Sequence, residues 1–260
     1  MKRTALPASL VILIFALNLT ACDDFFSSGW GTPREYSAGN INVTINNLDR
    51  WLDRTIGNPP LAKLVSENIS KQVADPHHPH RAQFQRAGVR MAVESSGLGV
   101  ALSTNALAVL SDMADADDED MEEMLKDILS GIQRDFRNSG GAAAAANITT
   151  IAANDIPGNP PTFPPESFAH QSTPSEVGQV ILVLTLAVMD EKDVVIDEWD
   201  FDDLYRIGLD YTNGVFSITG ASDTVRVLAA YLNLITKENG DSRFDDNFLT
   251  AAIRDAFSGN

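Results

Sequence analysis

The sequence predicts an all-α fold, an irregular multi-helix bundle built either as one body or as two helical lobes. Three observations carry this. Apolar residues recur at spacings of three and four through most of the chain. Proline, glycine and capping residues stand where those runs begin and end. One proline-rich stretch, residues 154–174, divides the helical signals into two groups, 41–153 and 175–260.

The first helical face carries Ile45, Leu48, Leu52 and Ile56 and ends at Gly57-Asn58-Pro59-Pro60. Pro60 suits the first turn of a second helix with Leu61, Leu64, Val65, Ile69 and Val73, since a proline there gives up only an N–H that has no helical partner. Asp75-Pro76-His77-His78-Pro79-His80 breaks the pattern. A longer run passes through Phe84, Val89 and Val93, loosens at Gly97-Leu98-Gly99 and resumes over 100–110. Met121, Met124, Leu125, Ile128, Leu129, Ile132 and Phe136 form the clearest amphipathic stripe, stopped by Gly140-Gly141. Ala142 to Ala146 opens another helix or serves as a strip of small packing residues.

Six of the twelve prolines lie between Pro157 and Pro174, which marks an extended connector. Thr173-Pro174-Ser175-Glu176 is a capping box, and the apolar run Val180 to Met189 makes the helix it starts the centre of the later group. Residues 200–211 and 223–237 read as two more helices, and 246–257 as a closing one. Between them, residues 214–220 alternate as a short strand or extended turn. Phe201-Asp202-Asp203 and Phe244-Asp245-Asp246 each precede a helical stretch, 43 residues apart, a spacing that suits a two-helix solenoid unit. Aspartates before helices are also ordinary caps.

The amino terminus is of another kind. Lys2 and Arg3 precede an apolar run, Leu10 to Leu17, and small residues follow it, the pattern of a secretory signal peptide. The run is too short for a membrane-spanning helix, which needs about 20 apolar residues. Cys22, the only cysteine, closes the segment Leu19-Thr20-Ala21-Cys22. These four residues resemble the lipobox of bacterial lipoproteins, a likeness confined to residues 1–22. It implies a thioether-linked diacylglycerol on the Cys22 thiol, cleavage after Ala21, and N-acylation, commonly with palmitate, of the new amino group. Two or three acyl chains hold a protein on a bilayer far more firmly than one. Asp23 and Asp24 resemble the inner-membrane retention signal of enteric lipoproteins, favouring the periplasmic face of the inner membrane over the outer membrane. Residues 22–40, rich in Ser and Gly, read as a flexible tether.

The chain has 19 bases and 36 acids. Without residues 1–21, seventeen bases remain against the same acids, a net charge of −19. This excludes nucleic-acid binding, whose affinity comes from neutralising phosphates. It also means that lipid, rather than a basic patch, must hold the chain at a membrane.

Signatures of catalysis are missing: the sequence contains no G-x-S-x-G, H-E-x-x-H, P-loop or G-x-G-x-x-G pattern. His77, His78 and His80 are the candidate metal ligands, since clustered imidazoles suit zinc, copper or nickel; a solvated turn between two helices is the simpler reading. The acidic run from Asp112 to Glu123 does not fit a calcium loop, because counting from Asp115 puts Asp120 where glycine is required and Lys126 where glutamate is. Those acids suit the amino-terminal dipole of the helix that follows. Asp190 to Asp203 admits the same two readings, and Glu166 with His170 makes an improbable catalytic pair.

The expected function is therefore a lipid-anchored extracytoplasmic binding or scaffold lipoprotein, not an enzyme, with no cofactor beyond its covalent lipid and an unidentified protein partner. Two alternatives are a helical-repeat accessory lipoprotein of a transporter, and a metal-binding protein or metal-dependent enzyme using His77, His78 and His80.

Overall fold

Three of the described helices, those starting at Pro59, Pro174 and Asp223, are opened by side-chain caps. In the computed structural model, which describes residues 41–99, 130–193, 207–212, 215–219, 222–236 and 242–244, a 3-10 turn at Ile45–Asn47 leads into α1 (Leu48–Thr55). Asn58 accepts the Leu61 N–H at 3.2 Å and, with prolines at the first two positions, starts α2 (Pro59–Val73). His80, in the left-handed region at φ 63°, turns the chain into α3 (Arg81–Ser95). Residues 130–139 form α4, and Gly140 at φ 98° separates it from α5 (Gly141–Ala152), which continues as a 3-10 turn at Ala153–Asp155. A one-turn helix, α6 (Phe168–Gln171), precedes α7 (Pro174–Glu191). The capping box read from the sequence is present: Glu176 donates its N–H to Thr173 Oγ1, and Thr173 donates its own to Glu176 Oε2 at 2.8 Å. Ser222 caps α8 (Asp223–Ile235) by accepting from the Val225 N–H.

The described residues are mostly helical, with one small sheet. That sheet corrects the all-α expectation. β1 (Leu209–Thr212) and β2 (Val215–Ile218) pair antiparallel in the register Leu209 to Ile218 and Thr212 to Val215. Within the stretch 200–211 expected as helix, the described residues 207–211 are turn and strand, and the alternating segment after Gly214 is a strand. Residues 1–40, 100–129 and 245–260, which hold Cys22, the segments expected as a tether and a closing helix, and the acidic run, lie outside the described residues, as does most of the second acidic cluster.

The amphipathic faces meet in one cluster of buried apolar residues running from Ile41 to Phe244. α2 lies along α3, α5 packs on α3, α7 on α5, and α8 on α7. Ala144 and Ala145 of the alanine run are buried, where their small side chains let neighbouring helices approach. The end of α2, the start of α3 and the turn after α5 are joined by a polar clamp. Arg81 Nη1 meets Asp155 Oδ1 at 2.8 Å, its Nε donates to Val73 O, and Gln85 Nε2 donates to Asp155 Oδ2 and to Ile151 O.

The proline-rich segment is pinned rather than loose. Ile156, Phe163 and Phe168 are buried, and Phe163 meets Phe168 and Tyr231 edge-to-face at 5.8 and 4.8 Å. Asn159 exchanges hydrogen bonds with the backbone N–H and C=O of Ile218 in β2. Asn233 of α8 does the same with Phe216, and its Nδ2 also donates to Pro161 O. Arg226 donates to Gly158 O at 2.9 Å. The aromatic residues set among the prolines supply the burial that holds the segment down.

Candidate functional site

A groove of about 460 Å³ opens between the first helical turns and the outer side of α3. On α3, Gln83, Arg86, Ala87 and Arg90 recur at three- and four-residue steps and so share one side of the helix. Ile45, Leu48, Asp49 and Leu52 face them, and Gln171 and Glu176 close one end. Leu48 is buried and Leu52 half-buried, whereas Ile45 is 39 % exposed, the one large hydrophobic left exposed among the described residues. The sequence placed Ile45 on the buried stripe, but the 3-10 turn rotates it out to the rim of the groove.

The two arginines have different environments. Arg86 is held: its Nε and Nη2 both donate to Glu176 Oε2, at 3.2 and 2.8 Å. The same oxygen accepts the Thr173 N–H, so the cap that starts α7 also fixes the counterion of Arg86. Arg90, one turn on, is exposed and has neither a hydrogen bond nor an ion pair among the described residues. Glu94 follows a further turn along. Burial pushes its carboxyl above the ordinary range, and the positive charge of Arg90 only partly opposes this.

A folded-state value above the unfolded one means that Glu94 favours the fold most when protonated, and that this contribution is lost as pH rises through the folded value. Glu94→Gln is therefore expected to be more stable than the parent at pH 7, with the difference shrinking as pH falls through the raised folded value and settled once pH is below the ordinary value near 4.5. Urea unfolding at pH 7 and pH 4 measures it. An equal difference at both pH values would show that the carboxyl is not perturbed.

Behind the Arg86–Glu176 pair lies a cavity of about 10 Å³, also lined by Ser172 and Tyr231. Tyr231 is 1 % exposed, and its hydroxyl finds no hydrogen-bond partner among the described residues. Burial, and then the negative charge of Glu176, raise the phenol above its ordinary range, so it stays neutral. The pair thus lines both the open, charged groove and the smaller space against Tyr231.

The three histidines expected as metal ligands take separate positions. His77 and His80 are exposed, and His80 is the residue that turns into α3. His78 is half-buried and packs edge-to-face on Phe84, with ring centroids 4.9 Å apart. Among the described residues, no three His, Cys, Asp or Glu side chains form a group that could hold a metal ion. Glu166 sits in a turn, and His170 is part-buried on α6 with Nε2 3.3 Å from Phe163 O, a fixed position where the sequence suggested none.

Sequence reasoning passed over Arg86 and Arg90. The available signal was a glutamine and two arginines at positions 83, 86 and 90, on one helical side of a chain poor in bases. Comparison with protein-family models, curated proteins and solved structures finds no match to this chain.

Proposed function

We propose that this protein is a lipid-anchored binding protein of the bacterial cell envelope, without catalytic activity, tethered through lipid on Cys22. The observation that carries the reading is Leu19-Thr20-Ala21-Cys22 placed directly after the charged start and the apolar run. Among the described residues no helix is long and apolar enough to cross a membrane. The groove beside α3 gives the body a concave surface with charged and apolar walls, the composition of a ligand site. We further propose that the helices form a single irregular bundle with residues 154–174 laid along it. The shared apolar cluster and the asparagine contacts of the proline-rich segment support that arrangement. Asp23 and Asp24 favour the periplasmic face of the inner membrane.

The test is metabolic labelling with radioactive palmitate in a bacterial host, followed by membrane fractionation. The full chain is expected to take up label and sediment with membranes. Cys22→Ser is expected to lose the label entirely. Retained label on Cys22→Ser, or an unlabelled parent chain, overturns the anchor.

A further inference from the structure

We propose that the groove beside α3 binds a small organic carboxylate with an apolar body, its carboxylate on Arg90 and its body over Ile45 and Leu52. This deepens the binding-protein reading and rests on it.

Charge gives the first argument. A chain with 36 acids and 19 bases repels anions over most of its surface, so an anionic ligand can settle only where cations are concentrated. Arg86 and Arg90 project from successive turns of one helix into the same groove. The guanidinium of Arg86 is committed to Glu176, whereas that of Arg90 makes no hydrogen bond or ion pair among the described residues and feels the charge of Glu94 one turn on. A planar fork of N–H donors matches the two oxygens of a carboxylate.

The number of charges gives the second. Asp49 and Glu176 line the same groove. With Arg86 and Glu176 cancelling each other, Asp49 stands against Arg90 and the lining is neutral before a ligand enters. A dianion such as phosphate would therefore leave more uncompensated negative charge in the groove than a monoanion.

The walls give the third. Ile45, Leu48, Leu52 and Ala87 supply the apolar part of the lining; Leu48 and Ala87 are buried, so Ile45, 39 % exposed at the rim, and half-buried Leu52 are what a ligand would cover. Covering these two side chains is favourable by the hydrophobic effect, and a purely polar anion would leave them wet. Gln83 and Gln171 add carboxamide donors at the margins. The space of about 460 Å³ falls within the usual size of small-molecule sites.

Isothermal titration of the full-length lipidated chain in detergent micelles, against protein-free micelles, tests the proposal. The probes are 3-phenylpropionate, its uncharged analogue 3-phenylpropanol, and inorganic phosphate. The expected result is saturable one-to-one binding of 3-phenylpropionate, with the alcohol and phosphate each weaker by about tenfold or more. Arg90→Gln should lose about tenfold or more in affinity, and Arg90→Lys should fall between, keeping the charge but not the fork. Arg134→Gln, an equal charge change on an exposed helix position outside the groove, should bind as the parent does. Circular dichroism of the exposed-site variants should match the parent. Absence of saturable binding to the parent up to about 10 mM, parent-like affinity in Arg90→Gln, or phosphate binding as tightly as the carboxylate overturns the assignment. A chain that takes palmitate label but fails this titration loses the ligand class and keeps its anchor. One that binds but takes no label keeps the site and loses the anchor.

Discussion

Gly88→Val is expected to destabilise the protein by about 3 kcal/mol or more, enough to leave a large unfolded fraction at 37 °C if total stability is ordinary. Gly88 lies at the middle of α3, where α2 and α5 both approach it. A Cβ there would stand 2.7 Å from Ile69 Cγ2 and 2.9 Å from Ile151 Cδ1, inside any real contact distance. Neither isoleucine has solvent to move into, since both are 0 % exposed. Ser66 of α2 donates to Gly88 O at 3.0 Å, so separating the helices would also strand a buried hydroxyl. Alanine at this position gains up to ~1 kcal/mol of helix propensity against a smaller clash. The expected order of stability is therefore parent, Gly88→Ala, Gly88→Val. Thermal or urea unfolding reads it. A valine variant within about 1 kcal/mol of the parent would mean that the helices are not packed this closely.

Asn233→Leu is expected to cost about 3–5 kcal/mol, because one side chain satisfies three buried backbone groups. Asn233 is 1 % exposed; its Oδ1 accepts the Phe216 N–H at 2.7 Å, and its Nδ2 donates to Phe216 O at 2.7 Å and to Pro161 O at 2.9 Å. Leucine fills similar space but leaves an N–H and two carbonyls without partners. Asn233→Asp makes a sharper test. The carboxylate still accepts from Phe216 but faces two carbonyl oxygens with no donor. Its folded-state value must then lie above the unfolded one, so the variant is less stable once ionised. The deficit relative to the parent should be larger at pH 7 than at pH 4, and urea unfolding at the two pH values decides it. A deficit independent of pH would remove the carbonyls from the account.

Much of the helical fold is legible because caps and breakers act locally. Thr173-Pro174-Ser175-Glu176 specifies where α7 starts in any context, and Asn58-Pro59-Pro60 does the same for α2. The second strand falls in the segment 214–220, which reads as a short strand or extended turn. Its partner lies in a stretch expected as helix although a hairpin signal is present: Asn213-Gly214, the pair preferred in two-residue hairpin loops, sits in the sequence between the paired residues Thr212 and Val215. The apolar residues on either side also fitted a helix, and periodicity over so short a stretch does not discriminate. The pinned path of residues 154–174 rests on contacts across 59 to 72 positions, with Asn159 reaching Ile218 and Asn233 reaching Pro161. No local pattern encodes such pairs. The groove was hidden for the same reason. Arg86 and Arg90 lie on one face by spacing alone, but the commitment of Arg86 to Glu176 joins residues 90 positions apart.

Asn159 and Asn233, hydrogen-bonded to β2 from outside it, affect encounters between copies of the chain. Alternate residues of a strand direct their N–H and C=O sideways, and an uncovered row of such groups recruits strands from other molecules. Asn159 and Asn233 each occupy one of these outward pairs, at Ile218 and Phe216, and a carboxamide ends the ladder instead of extending it. The outer margin of β2 is thereby closed to intermolecular sheet growth.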